Sequence, residues 1–343
     1  MSGAPAAVAF ALAGEKLGKD EKAFFRDCDP WGFILFARNV DRPRQVRALT
    51  DSLRDAMGRD VPVFVDQEGG RVQRLRAPNW RNAPPAERFG QLWDREPELA
   101  LEAVRINHQL IAHELYALGI DADYAPCADI RVKGAHDVIG DRALHSNPHT
   151  VAAMSTAALE GLLHQGVLGV IKHLPGHGRA GVDSHHDLPI VDTDEETLAA
   201  TDFAAFRAIR GALMAMTAHV VYRAIDADDC ATCSSEVIAR IIRGDIGFDG
   251  LLMSDDLSMK ALAGSLSERT RRALGAGCDM VIHCNGDMAE MMEIANATPR
   301  LDRAALKRAD AALAARKAPE GFDPRAGLEA LARLFEEAGL EAP

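Results

Sequence analysis

Eight short apolar runs recur along the chain: AAVAFALAG (6–14), WGFILFA (31–37), VPVFVDQ (61–67), IDADYAPCADI (120–130), GVLGVIKH (166–173), ALMAMTAH (212–219), GLLMSDD (250–256) and DMVIHCN (279–285). Between them lie longer stretches such as PRQVRALTDSLRDAMG (43–58), ELALEAVRINHQLIAHELYALG (98–119), TVAAMSTAALEGLLHQG (150–166) and EETLAATDFAAFRAIRG (195–211). Their apolar residues return every three or four positions, the period of a helix with one buried face. These four stretches close on Gly58, Gly119, Gly166 and Gly211, and glycine is the residue that ends helices most easily. The strands are apolar throughout, as in a parallel sheet covered on both faces. Eight alternations of strand and helix predict an α/β chain folded as a (β/α)8 TIM barrel rather than an open doubly wound sheet.

At 343 residues and 48% hydrophobic, the chain is long enough for a large core. Neither a linker nor a low-complexity tract interrupts it, so a single barrel domain over residues 1–343 is expected. Its last amphipathic stretch, GLEALARLFEEAG, should pack outside the barrel. A net charge of −12 disfavours nucleic acid or an anionic membrane as partner. The opening MSGAPAAVAFALAGEKLGKDE has no basic residue before its apolar run, so no signal peptide is expected, and no segment reaches the roughly 20 apolar residues that cross a bilayer. The six cysteines, Cys28, Cys127, Cys230, Cys233, Cys278 and Cys284, are scattered and suit buried free thiols in a reducing cytoplasm. Cys230 and Cys233 form a lone CxxC that is read as packing.

In a barrel of this kind the active site is built at the carboxyl ends of the strands. There the sequence places Asp66, Asp129, Lys172 with His173, His219, Asp255 with Asp256, and His283. One aspartate of SDD (254–256) can cap the helix expected over LSMKALAGS. The other, Asp255, leaves the strand first and is the candidate to point inward as an ionised nucleophile. The stretch KHLPGHGRAGVDSHHDLP (172–189) carries Asp183 two residues before His185, a spacing in which the carboxylate can orient the imidazole for proton transfer. Its Gly176, Gly178 and Gly181 suggest a loop free to move. The bland alternative is a solvated loop; a third reading has His173, His177, His185 and an aspartate around zinc. Arg71, Arg74 and Arg142 lie near the same mouth and suit a polar ligand, although surface ion pairs have the same composition.

Together DQEGGRVQRL, IGDRALHSNP, KHLPGHGRAGVDSHHDLP, MTAHVVYRAID and GFDGLLMSDDLSMKAL resemble the β-N-acetylglucosaminidases of glycoside hydrolase family 3, the bacterial enzymes of cell-wall recycling. The resemblance spans Asp66 to about Met259. It implies a barrel that removes terminal N-acetylglucosamine from peptidoglycan fragments ending in 1,6-anhydro-N-acetylmuramic acid. Carried over position by position, it implies Asp255 as nucleophile, His185 as general acid/base and Asp183 as the partner of His185. It likewise implies Asp66, Arg74, Arg142, Lys172 and His173 as sugar-binding residues, with no metal and no cofactor. Nothing transfers to His186 or Asp187. The expected partner is a small carbohydrate, and a cytoplasmic monomer is expected. Two rivals are a zinc hydrolase on a similar barrel and a barrel that binds sugar or peptide without turnover.

Overall fold

The computed structural model describes residues 3–182, 184, 187–319 and 321–343. Among these residues, eight parallel strands close a barrel: β1 (Ala6–Ala11), β2 (Pro30–Leu35), β3 (Val63–Val65), β4 (Ala122–Asp123), β5 (Leu168–Leu174), β6 (Met214–Thr217), β7 (Leu251–Asp256) and β8 (Met280–His283). Each strand pairs with its neighbours in sequence and β8 returns to β1, so that Phe10 stands opposite both His283 and Phe33. The (β/α)8 barrel expected from the chain's periodicity is the fold, and each apolar run supplies one strand.

Alternation along the strands sorts side chains into two layers. Ala7, Ala9 and Ala11 of β1 share the barrel interior with Ile34, Phe64, Tyr124, Val170, Met216, Met253 and Ile282. Val8, Phe10, Phe33, Leu35 and Val65 belong instead to the layer under the helices, with Leu49, Leu53, Leu110 and Leu115. The small alanines of β1 leave room for rings across the barrel: Trp31 and Tyr124 pack on Phe64 at centroid distances of 5.6 and 5.3 Å. Burial of each such large apolar side chain contributes about 1.5–3 kcal/mol.

The amino end of the barrel is sealed. Ala305, Ala309 and Ala312 of the helix Arg303–Ala314 join the interior layer. Arg308 meets Asp279, just before β8, at 2.9 Å, and Arg316 meets Asp121, just before β4, at 2.6 Å. Among the described residues, these contacts fill the amino end, and the cavity opens at the carboxyl end. The helix Pro324–Glu337 packs on the helix Pro97–Ala117.

Three expectations change in detail. The fourth run forms a strand of two residues only, because Pro126 has no N–H for a ladder; pairing resumes as a bridge between Cys127 and Lys172. The stretch 195–211 is two helices, Glu195–Ala200 and Asp202–Ala208, broken where Thr201 bonds back to Thr197 and the buried Asp202 turns to Arg179. Gly211 caps neither, whereas Gly58, Gly119 and Gly166 do take left-handed backbone, with φ of 64°, 72° and 77°. Finally, LSMKALAGS is a series of turns, and the helix begins at Leu266, where Ser265 and Glu268 cap each other's backbone N–H groups. No helix among the described residues is long and apolar enough to cross a membrane.

Candidate active site

A cavity of about 290 Å³ opens at the carboxyl ends of the strands, and Asp66, Arg74, Arg142, Lys172, His173 and Asp255 all line it. These are the six predicted site residues that lie within the described part of the chain. Asp183, His185 and His186 lie outside the described residues. Asp187 is described and is exposed.

Asp66 is the first residue after β3, and the chain then turns back through a short hairpin, Gln67–Gly69 with Val72–Gln73. The turn depends on Gly69 and Gly70, with φ of 102° and 55°; a Cβ on Gly69 would sit 2.4 Å from the Pro84 carbonyl. Inside the hairpin, the Gln67 amide oxygen accepts the backbone N–H groups of Arg74 and Leu75 at 2.9 and 3.1 Å. That return brings Arg74 within 2.9 Å of the Asp66 carboxylate. On the other side, Lys172 of β5 donates to Asp66 at 3.0 Å and to Glu68 at 2.6 Å. Glu68 in turn takes two hydrogen bonds from Arg142, at 2.9 and 2.8 Å. Five charges thus alternate along one wall: Arg74, Asp66, Lys172, Glu68, Arg142. Burial alone would raise the pKa of both carboxylates, but Lys172 and Arg74 bring Asp66 below its usual range, and Arg142 and Lys172 bring Glu68 far below it. Burial also works against the Lys172 ammonium, yet Glu68 and Asp66 keep it charged.

Behind this wall, Asp129 is wholly buried. It accepts the backbone N–H of His173 at 3.2 Å, that of His177 at 2.6 Å, and His173 Nδ1 at 2.7 Å. Burial would raise its pKa; the neighbouring histidines and N–H donors lower it to about 2. His177 is pushed down to about 4 by burial and by His173 beside it, and is therefore neutral at pH 7. Its Nε2 lies 3.2 Å from the Ser184 hydroxyl.

Asp255 and Asp256 end β7, at a register shift against β8. Asp256 closes the following turn, accepting the N–H of Ser258 and of Cys284, each at 3.1 Å. Asp255 accepts the N–H of Asp256 at 2.7 Å. His219 supports this corner from beneath: Nε2 donates to the Asp256 carbonyl at 3.0 Å, which leaves Nδ1 as acceptor for the Thr232 hydroxyl at 2.7 Å. Burial lowers the His219 pKa against the pull of Asp255, so this rim histidine is a neutral prop for the aspartate pair.

The loop that follows β5 is held more tightly than its glycines suggest. A Cβ on Gly178 would come 2.0 Å from the Ile130 carbonyl, and one on Gly176 would come 2.9 Å from the Asp202 side chain. Arg179 is tied to Asp202 at 2.6 Å and to Thr201 at 2.9 Å, and the Tyr222 hydroxyl donates to the Gly176 carbonyl. These two glycines serve close packing; only Gly181 has open space around a Cβ position.

Other candidates have structural partners of their own. Arg71 reaches Asp141 at 2.7 Å and the carbonyls of Asp137 and Val138, which makes it a brace for the 137–142 loop. His283 is buried against Glu290 at 2.8 Å. Among the described residues, the group with metal-ligand spacing is Cys127, Asp129 and His173; the set of His173, His177, His185 and an aspartate read from the sequence includes His185, which lies outside the described residues. Glu68 was missed altogether. Its signal was slight: it stands two residues past Asp66 in the stretch DQEGG.

Residues 11–315 match the glycosyl hydrolase family 3 N terminal domain. The chain is 39% identical over 290 residues to the beta-hexosaminidase of Bordetella pertussis, covering 83% of this chain and 82% of that one. It is 40% identical over 280 residues to the beta-hexosaminidase of Alkalilimnicola ehrlichii, covering 80% and 79%. The structure of NagZ from Neisseria gonorrhoeae in complex with N-trifluoroacetyl-D-glucosamine superimposes with a TM-score of 0.86 at 32% identity, over 98% of both chains.

Proposed function

The chain belongs to glycosyl hydrolase family 3, and from that membership we propose that this glycoside hydrolase is a retaining exo-β-N-acetylglucosaminidase of peptidoglycan fragments. The observation that carries the reading is the placement of Asp255 in the same closed-bottomed cavity as the Asp66, Arg74, Lys172 and Arg142 wall. Alternating charges there present both donors and acceptors, which matches the hydroxyl groups of a sugar. A cavity of about 290 Å³ is small, which favours the end of a glycan over its middle. The N-acylated glucosamine held by the Neisseria relative supports the same class of ligand.

In the proposed mechanism Asp255 attacks the anomeric carbon while His185, as imidazolium, protonates the leaving oxygen. A covalent glycosyl-enzyme forms. Neutral His185 then takes a proton from water, which attacks the same carbon and releases the sugar with its configuration retained. Most glycosidases assign the acid/base task to a second carboxylate; here a histidine backed by Asp183 replaces it. His173 and Lys172 hold the sugar, and His219 with Asp256 fixes the corner that carries the nucleophile. Free thiols at all six cysteines suit the cytoplasm, where wall fragments are recycled, and a monomer is the proposed state.

Turnover of aryl N-acetylglucosaminide against aryl glucoside, with and without chelator, tests this function. Selective, chelator-insensitive release from the N-acetylglucosaminide is expected. Binding without turnover, or loss of activity on chelation, would refute it.

A further inference from the structure

Lys172 and Arg142 come from different parts of the chain, one from β5 and the other from the 3-10 turn Gly140–Arg142. One carboxylate joins them. Glu68 Oε1 accepts from Lys172 at 2.6 Å and from Arg142 Nη2 at 2.8 Å, while Oε2 accepts from Arg142 Nε at 2.9 Å. The Glu68 side chain is 7% exposed, that of Lys172 3% and that of Arg142 11%. A bidentate pair of this kind fixes the plane of the guanidinium as well as its position. Among the described residues it also leaves one N–H to spare on Arg142 Nη1, whose other N–H meets the Val138 carbonyl at 3.2 Å, and one on Nη2. Lys172 has three N–H donors; among the described residues Asp66 and Glu68 engage two, so one remains.

We propose that Glu68 is the positioning residue of the sugar subsite, setting where Lys172 and Arg142 aim their remaining donors. The inference rests on the reading of this pocket as a sugar site. Glu68 acts on substrate through its two cations and not on the reacting atoms. Without it, Arg142 would keep, among the described residues, its one contact with the Val138 carbonyl, and Lys172 would lean toward Asp66 alone.

The test is steady-state kinetics of Glu68→Gln, Glu68→Asp, Arg142→Met and the double variant Glu68→Gln/Arg142→Met on aryl N-acetylglucosaminide, with thermal midpoints. Loss of positioning at two charge-assisted contacts should raise KM in Glu68→Gln by about 10- to 100-fold and lower kcat by less than about 5-fold. In the Arg142→Met background only the Lys172 contact is left to lose, so the same change should raise KM by a smaller factor than in the wild type, less than about 10-fold. Glu68→Asp keeps the charge but is too short to bridge both cations, and an intermediate KM is expected; it also serves if the glutamine variant does not fold. An unchanged KM, full additivity in the double variant, or a thousandfold loss of kcat at constant KM would each overturn the proposal. A crystal structure of a Glu68 variant reads the geometry apart from turnover. Arg142 should leave its position, and if it and Lys172 stay in place the proposal fails even where the wild type hydrolyses nothing. An inactive wild type with a displaced Arg142 would sink the functional reading alone.

Discussion

The Asp129 carboxylate stands 2.7 Å from His173 Nδ1, and the same carboxylate holds the backbone N–H groups of His173 and His177. One buried charge therefore fixes the tautomer and the orientation of a ring that lines the cavity, along with the first turn of the loop beyond β5.

Replacing Asp129 with asparagine removes that charge and points an amide donor at backbone donors. A fall in kcat/KM of about 100-fold is expected from misorientation of His173. The Asp129 pKa is near 2 in the folded chain, below the roughly 3.9 of an unfolded aspartate. Its stabilisation is therefore complete above about pH 4 and is lost as pH falls toward 2. Urea titrations from pH 5 to pH 2 should show the stability gap between wild type and Asp129→Asn narrowing; a constant gap would contradict this.

Asp123 titrates in the opposite sense. Burial raises its pKa to about 8, more than Gln67 and Lys172 lower it, and its Oδ2 has no hydrogen-bond partner among the described residues. A raised carboxyl costs nothing below the unfolded pKa near 4 and weakens the fold progressively as pH climbs toward 8. Asp123→Asn keeps the shape and the Gln67 contact without that penalty. Its melting temperature relative to wild type should rise between pH 4 and pH 8, and a flat difference would show that Asp123 is ionised in the folded chain.

The two kinds of glycine in the loop after β5 separate cleanly. Gly178→Ala forces a methyl into the Ile130 carbonyl, a clash expected to cost about 1–3 kcal/mol or more. Gly181→Ala meets nothing within 4 Å and should shift stability by less than about 0.5 kcal/mol. Comparing their thermal midpoints decides whether this segment is packed or merely pliable; equal values would remove the packing argument.

The barrel was legible because each strand is buried on both faces and each covering helix on one, so the two periods do not overlap. Elements set by single side chains were not. Nothing in EETLAATDFAAFRAIRG marks Thr201 as a break, since the cause is Arg179 arriving from a loop some twenty residues earlier. Composition suggested that Gly176 and Gly178 allow motion, yet their neighbours Asp202 and Ile130 are distant in sequence and supply the contact. The wall of the cavity was read at Asp66, Arg74, Arg142 and Lys172, each beside a strand end or in a quoted motif. Glu68 escaped because its meaning lies in the two cations it joins, and those meet only when β3 and β5 close on the 137–142 loop.

The central claim is a bond between the sugar and Asp255. Incubation with a fluorinated sugar that traps glycosyl-enzymes, followed by digestion and mass spectrometry, reads it directly. The account predicts one added sugar on the peptide that contains Asp255 and none on Asp255→Ala. A label on another residue, or release of product with inverted configuration, would contradict it.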